Sequence, residues 1–193
     1  MTSFRPGPDD ALLVVDVQND FVSGSLAVPG GAEAIAPLNA AMAAFAAAGR
    51  PIVLSRDWHP ADHRSFVQQG GPWPPHCVAG TSGADFVPGL VLPPDPILVC
   101  KATRRDAEAY SAFDGTKLDR ELRERGVKRV VVGGIATDYC VLQTVLDARR
   151  LGYEAVVLTD AIRAVDANPG DGRRALAKMR EAGASLVPGP AVT

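Results

Sequence analysis

The sequence is poor in histidine and cysteine, with only three of each among 193 residues. Cys77, Cys100 and Cys140 are an odd and sparse set that cannot form a disulfide framework, which predicts a reducing, intracellular setting and at least one thiol free to react. Charge of one sign is also lacking. Twenty Lys and Arg face 22 Asp and Glu, for a net charge of −2. No basic run reaches the density of a nucleic-acid patch, which argues against a polyanion partner. The N-terminal "MTSFRPGPDD" has no positive flank leading into an apolar stretch, so no signal peptide is expected. The longest uncharged apolar run, "AIAPLNAAMAAFAAAG", is alanine-rich and broken by Pro37 and Asn39. That suits a soluble helix better than a membrane span. Neither G-x-G-x-x-G nor a Walker A run occurs, and "GGI" resembles no phosphate cradle. A cytoplasmic protein with no membrane or nucleic-acid partner follows as the expectation. Its oligomeric state stays open, a homo-oligomer being one possibility.

Apolar residues make up 47% of the chain, enough for one compact domain over residues 1–193. Short apolar runs alternate with helical patterns. Strands are expected at 11–16, 51–57, 96–101, 128–135, 154–160 and 185–187. Helices are expected at 32–48, 117–125, 138–151 and 171–182, each followed by a glycine. The strands are continuous rather than alternating in polarity, so both of their faces are covered. The expected fold is α/β: a three-layer α/β/α sandwich with a central parallel six-stranded sheet and helices on both faces. About 40 residues rich in Gly and Pro interrupt the pattern between the second and third strands. A loop of that length is functional or disordered, and its histidines and tryptophans favour an ordered, functional one.

Ligands of open parallel sheets bind beyond the carboxyl ends of the strands. Those ends carry Asp16, Asp57, Lys101 and the segment "GGIATDYC". Cys140 is expected in the first turn of a helix capped by Thr137 or Asp138. There the dipole would lower the thiol pKa and free N–H groups could hold an oxyanion. The same cysteine also reads as a small buried hydrophobe. Asp16 reads as a general base raised by burial or as a turn cap. Lys101 reads as a strand-end residue or as a cation favouring neighbouring anions. Asp, Lys and Cys together would form an activated-thiol hydrolase site.

All three histidines fall between His59 and His76. Asp57 and His59, two apart in extended chain, point the same way. With a further imidazole they form a plausible set for one divalent ion, Zn²⁺ or Fe²⁺, with Mn²⁺ also compatible. His76, held in "WPPHC", is the expected third ligand, and His63 reads as a fourth ligand or as a partner of a metal-bound water. Phe21, Trp73 and Tyr110 are candidates to line a pocket for a flat aromatic ligand. Phe113 reads as core, and Cys77 and Cys100 as packing residues.

In "LLVVDVQNDF", "RDWHPADHRSF", "WPPHCVAGTSGADF", "CKATRRDAEAYSAFDGT" and "VVGGIATDYCV", taken in order, the chain resembles the nicotinamidases of the isochorismatase-like cysteine hydrolases. The resemblance implies a catalytic triad of Asp16, Lys101 and Cys140. It implies metal ligands at Asp57, His59 and His76, with His63 matching a fourth ligand of some members. It also implies a cis peptide between Ile135 and Ala136 that shapes an oxyanion site, and a pyridine pocket at Phe21, Trp73 and Tyr110. Ala102 departs from the family, where glycine is frequent after the lysine. The implied activity is hydrolysis of nicotinamide, and of pyrazinamide as its ring analogue, feeding NAD salvage. The rival readings are a cysteine amidase for N-carbamoyl or ureido compounds, a site in which the metal activates water directly, and a non-catalytic binding module.

Overall fold

A computed structural model describes residues 4–190. Six parallel strands form one sheet: β1 Asp10–Val15, β2 Ile52–Asp57, β3 Ile97–Lys101, β4 Arg129–Ile135, β5 Glu154–Arg163 and β6 Ser185–Val187. Their order is β3-β2-β1-β4-β5-β6. The chain winds outward through β2 and β3, then restarts on the other side of β1. The order therefore reverses between β1 and β4, and a crevice opens there at the carboxyl ends. Asp16 follows β1 and Cys140 lies just beyond β4, so this topology makes them neighbours.

Alternation along β1 shows why the strand is apolar throughout. Leu13 and Val15 pack beneath α3 (Leu118–Glu124), α4 (Leu142–Arg150) and α5 (Asp171–Glu181), through Leu122, Val145 and Met179. Leu12 and Val14 face the other way, onto Leu38, Met42 and Phe45 of α2 (Ile35–Ala47). Each face is covered, so period-two polarity has no place in the strand. Phe113 packs in the first of these layers, its ring 6.0 Å from that of Tyr153.

Most elements match the sequence reading to within a residue or two, and the differences that matter have physical causes. The helix expected at 32–48 is a 3₁₀ turn, Gly31–Ala34, followed by α2. Pro37 then occupies the third helical position, where an N–H would have no intrahelical acceptor. A single helical turn, α1 (Asn19–Val22), was not foreseen, being too short for any periodicity. The fifth strand runs on to Arg163 because its pairing slips: Val132 faces Val157 but Gly134 faces Ile162. Finally, "GG" serves packing. A Cβ on Gly134, at φ +127°, would lie 2.1 Å from Val15 O, and one on Gly133 would lie 2.8 Å from Leu38. Glycine at 134 lets β4 close tightly against β1, and glycine at 133 leaves room for α2.

The long segment between β2 and β3 is ordered. It carries short 3₁₀ turns at Val67–Gln69 and Ser82–Ala84. Its two histidine-bearing stretches are tied together, His59 N–H donating to Cys77 O at 3.0 Å and Ala79 N–H to His59 O at 2.8 Å. No described helix is long and apolar enough to cross a membrane.

Candidate active site

Asp57 and Lys101 are register partners on β2 and β3, and their side chains meet at the rim. Lys101 Nζ donates to Asp57 Oδ1 at 2.5 Å and to Ala109 O at 3.1 Å, and lies 2.9 Å from Asp16 Oδ2 and 3.5 Å from Cys140 Sγ. Lys101 and Asp16 are fully buried, and Cys140 is 5% exposed. The other Asp16 oxygen accepts a hydrogen bond from Ser55 Oγ at 2.7 Å. Asp16 Oδ2, though close to the ammonium, is aligned with no donor. The Asp16 carboxylate is ion-paired with Lys101 and stands beside the Cys140 thiol.

Burial dominates the electrostatics. It pushes the Asp16 carboxyl up, Lys101 partly offsets this, and Asp57 adds to it. Burial also opposes ionisation of Asp57, but the Lys101 ammonium and His59 outweigh it and hold that carboxyl well below the usual range. For Lys101, burial works against the charge and is overcome by Asp16, Asp57 and Cys140, so the lysine stays an ammonium. The Cys140 thiol is pushed well up by burial. Lys101 pulls it back only in part, and both carboxylates push it further.

That thiol corrects the sequence reading in two respects. Cys140 does lie in the opening turn of its helix, a π-helical turn over Thr137–Val141 that leads into α4. Yet burial, with two neighbouring carboxylates, raises the thiol pKa rather than lowering it. Neither Thr137 nor Asp138 caps the turn by a side-chain bond. Asp138 instead accepts the backbone N–H groups of Val165 and Asp166, each at 2.9 Å.

A second cluster adjoins the first. One ligand atom each from Asp57, His59 and His76 lie within 4.8 Å of one another, all buried. His76 Nδ1–H donates to Pro74 O at 2.8 Å, and His59 Nδ1 faces Ala102 O at 3.3 Å. Such carbonyls fix the tautomer and leave each Nε2 lone pair inward. His59 Nε2 is buried with no hydrogen-bond partner. Burial also lowers the His76 pKa, favouring the neutral ring. A divalent ion therefore fits this trio: it supplies what the orphaned nitrogen lacks. His63 stands outside it. Its Nδ1 is engaged by Ser65 Oγ at 2.7 Å and its Nε2 by Ala107 O at 3.0 Å. Through these bonds His63 links the loops on either side of the trio. Its ring packs 4.3 Å from that of His59.

Above both clusters lies a pocket walled by Phe21, Trp73, Tyr110, Tyr139, Val28 and Val165, with Asp57, His76, Ala136 and Cys140 also on its surface. Trp73 Nε1–H donates to Tyr110 OH at 3.1 Å, locking the two rings together. The Ile135–Ala136 peptide is cis. Cys77 is buried, its thiol pushed far up chiefly by burial, and Cys100 Sγ accepts from Arg56 Nε at 3.2 Å. Both stay away from the chemistry. The sequence reading missed Ser55, Tyr139 and Val165. Ser55 left a signal, a lone hydroxyl inside an apolar buried strand two residues before Asp57. Val165 left none, since a loop valine names no role.

Fold and site together define a parallel-sheet α/β enzyme with a buried thiol at the sheet's switch point. The chain belongs to the Isochorismatase domain family, whose profile matches residues 10–189. It is 38% identical to the nicotinamidase of Escherichia coli strain K12, over 93% of this chain and 94% of that one. It is 45% identical to the nicotinamidase/pyrazinamidase of Mycobacterium tuberculosis, over 92% and 97% respectively. Among solved structures, the zinc complex of the Pyrococcus horikoshii pyrazinamidase superposes with a TM-score of 0.90 at 47% identity, over 94% of this chain and 99% of that one.

Proposed function

We propose that this chain is a nicotinamidase, a metal-assisted cysteine amidohydrolase that converts nicotinamide and water to nicotinate and ammonia and so feeds NAD salvage. The observation that carries the reading is the meeting of two buried clusters, Asp16–Lys101–Cys140 and Asp57–His59–His76, at the base of one aromatic pocket. Asp57, His59 and His76 would hold the ion; one carboxylate and two imidazoles suit Zn²⁺, Fe²⁺ and Mn²⁺. When bound, the ion supplies a Lewis acid for the pyridine nitrogen, which orients the ring.

The chain's own residues do the rest. Phe21, Trp73 and Tyr110 sandwich the ring and hold the carboxamide over Cys140, converting binding into alignment. Asp16 takes the Cys140 proton as sulfur attacks the carboxamide carbon. Lys101, 3.5 Å from the sulfur, offsets the thiolate charge as it forms. Backbone N–H groups at Ala136 and Cys140 would face the oxyanion. Asp16 returns the proton to nitrogen, the C–N bond breaks, and ammonia leaves a thioester. Water, deprotonated by Asp16, cleaves the thioester to nicotinate and restores the thiol. A ureido substrate has no ring nitrogen for the trio to address, which disfavours the N-carbamoyl reading. A free catalytic thiol also suits a reducing cytoplasm.

The test is to incubate metal-loaded protein with nicotinamide and measure nicotinate and ammonia. Wild type should release them in equal amounts, while Cys140→Ala and chelator-treated protein should not. Full turnover by Cys140→Ala would instead assign the chemistry to activated water.

A further inference from the structure

Gln18 is fully buried, and its carboxamide is spent entirely on backbone. Oε1 accepts the Asp57 N–H at 2.8 Å, while Nε2 donates to Asp57 O at 2.8 Å and to Ala84 O at 2.9 Å. These partners fix the amide in one orientation, because a flipped group would set its NH₂ against the Asp57 N–H.

The sheet explains the need. Pairing between β1 and β2 ends at Val15 and Ser55, with a last bond from Asp16 N–H to Ser55 O at 3.1 Å. Asp16 then turns away at φ +51°. The next N–H and C=O of β2 on that side belong to Asp57, and β1 has no peptide left to meet them. The Gln18 side chain stands in for it. Gln18 itself sits on the turn that carries Asp16, its N–H donating to Asp16 O at 2.9 Å.

Asp57 is the residue shared by the two clusters. Its Oδ1 holds Lys101 at 2.5 Å and its Oδ2 points toward His59 Nε2 at 3.5 Å. A rotation of its backbone would disturb both contacts at once. We infer that Gln18 is a positioning residue: by clamping the Asp57 peptide it aims one carboxylate oxygen at the Lys101 ammonium and the other at the metal. This rests on the metal site proposed above. The third bond, to Ala84 O, ties in the strap that carries His76.

The experiment measures Zn²⁺ affinity of the metal-free full chain by chelator competition. It compares wild type, Gln18→Met and Gln18→Glu, of similar shape to glutamine, and Thr144→Val. The last removes a buried bond, in which Ala112 N–H donates to Thr144 Oγ1 at 3.0 Å, away from Asp57, and so controls for lost stability. Both Gln18 variants should bind Zn²⁺ about 10- to 100-fold more weakly and keep a reduced kcat at saturating Zn²⁺. Thr144→Val should bind like wild type. Wild-type affinity in Gln18 variants destabilised as much as Thr144→Val would overturn the inference. If wild type itself binds no Zn²⁺, the metal site falls, and this inference with it. One arm needs no variant: in the wild-type NMR spectrum the Gln18 side-chain amide protons should exchange slowly and shift on adding Zn²⁺. Fast exchange without a shift would equally overturn the inference.

Discussion

Lys101 Nζ lies 3.5 Å from Cys140 Sγ, beside a thiol that its environment otherwise keeps protonated. One ammonium serves two carboxylates and a sulfur. It can favour a thiolate only in the moment that Asp16 takes the proton. In the proposed reaction, nucleophile activation is a concerted transfer rather than a standing thiolate.

The titration of Cys140 follows from that. Burial and two carboxylates raise the thiol, so the thiolate fraction is small at neutral pH and grows with alkali. Alkylation of Cys140 by iodoacetamide in the metal-free protein should still be accelerating above pH 9. Lys101→Met, which removes the offsetting charge, should slow it further and lower kcat by about 10²–10³-fold. A rate plateau below pH 8 would show a preformed thiolate and refute the concerted picture.

Asp16 should trade stability for activity. Its carboxyl is raised in the folded state, chiefly by burial. An unfolded chain releases that proton near pH 3.8, whereas the folded chain resists release. Stability therefore falls as pH rises from there through the folded pKa, and the cost persists at neutrality. Asp16→Asn removes the ionising group. Its turnover should drop by at least about 10⁴-fold, while its melting temperature relative to wild type should improve between pH 4 and pH 8. A variant that loses ground over that interval would show that the Lys101 ion pair outweighs burial.

Much of this site was legible because β-strand ends are readable. Asp16, Asp57 and Lys101 each close an apolar run, and a parallel sheet puts such ends on one rim. The histidine window was visible through scarcity alone. What stayed hidden depends on tertiary context. His63 and His59 look alike in sequence, and only the carbonyl of Ala107 and hydroxyl of Ser65 set them apart. The helix dipole at Cys140 could be foreseen, but the desolvation that overrides it required the full depth of the crevice. Gln18 reads as an ordinary polar residue until β1 turns away from β2.

Ala102 holds a backbone angle that suits glycine. Its φ is +50°, a region that costs a residue with a Cβ about 1–2 kcal/mol. Glycine would relieve this at an unfolded-state entropy cost of about 0.4–1 kcal/mol. Ala102→Gly should therefore stabilise by about 0.5–1 kcal/mol, a rise of roughly 1–4 °C in Tm. Activity should hold, since the Ala102 carbonyl that faces His59 Nδ1 is backbone and remains. A calorimetric scan with a parallel kcat measurement checks both; a lower Tm would mean that the Ala102 methyl packs too well to lose.

Asp138 tests whether the pocket wall is held from behind. Its carboxylate accepts the N–H groups of Val165 and Asp166, each at 2.9 Å, and Val165 lines the aromatic pocket. Neither bond touches the sulfur, Asp16 or the Asp57–His59–His76 trio. Asp138→Ala removes two charge-assisted bonds, of the kind worth about 1.5–3 kcal/mol each, and frees the segment after β5 to move outward. Ground state and transition state should lose the Val165 contact alike, so KM should rise about 10-fold or more with kcat nearly constant. Asp138→Asn keeps one acceptor oxygen and should recover part of the loss. If kcat falls instead while KM stays put, Asp138 acts through the turn that carries Cys140, and the wall is held by something else.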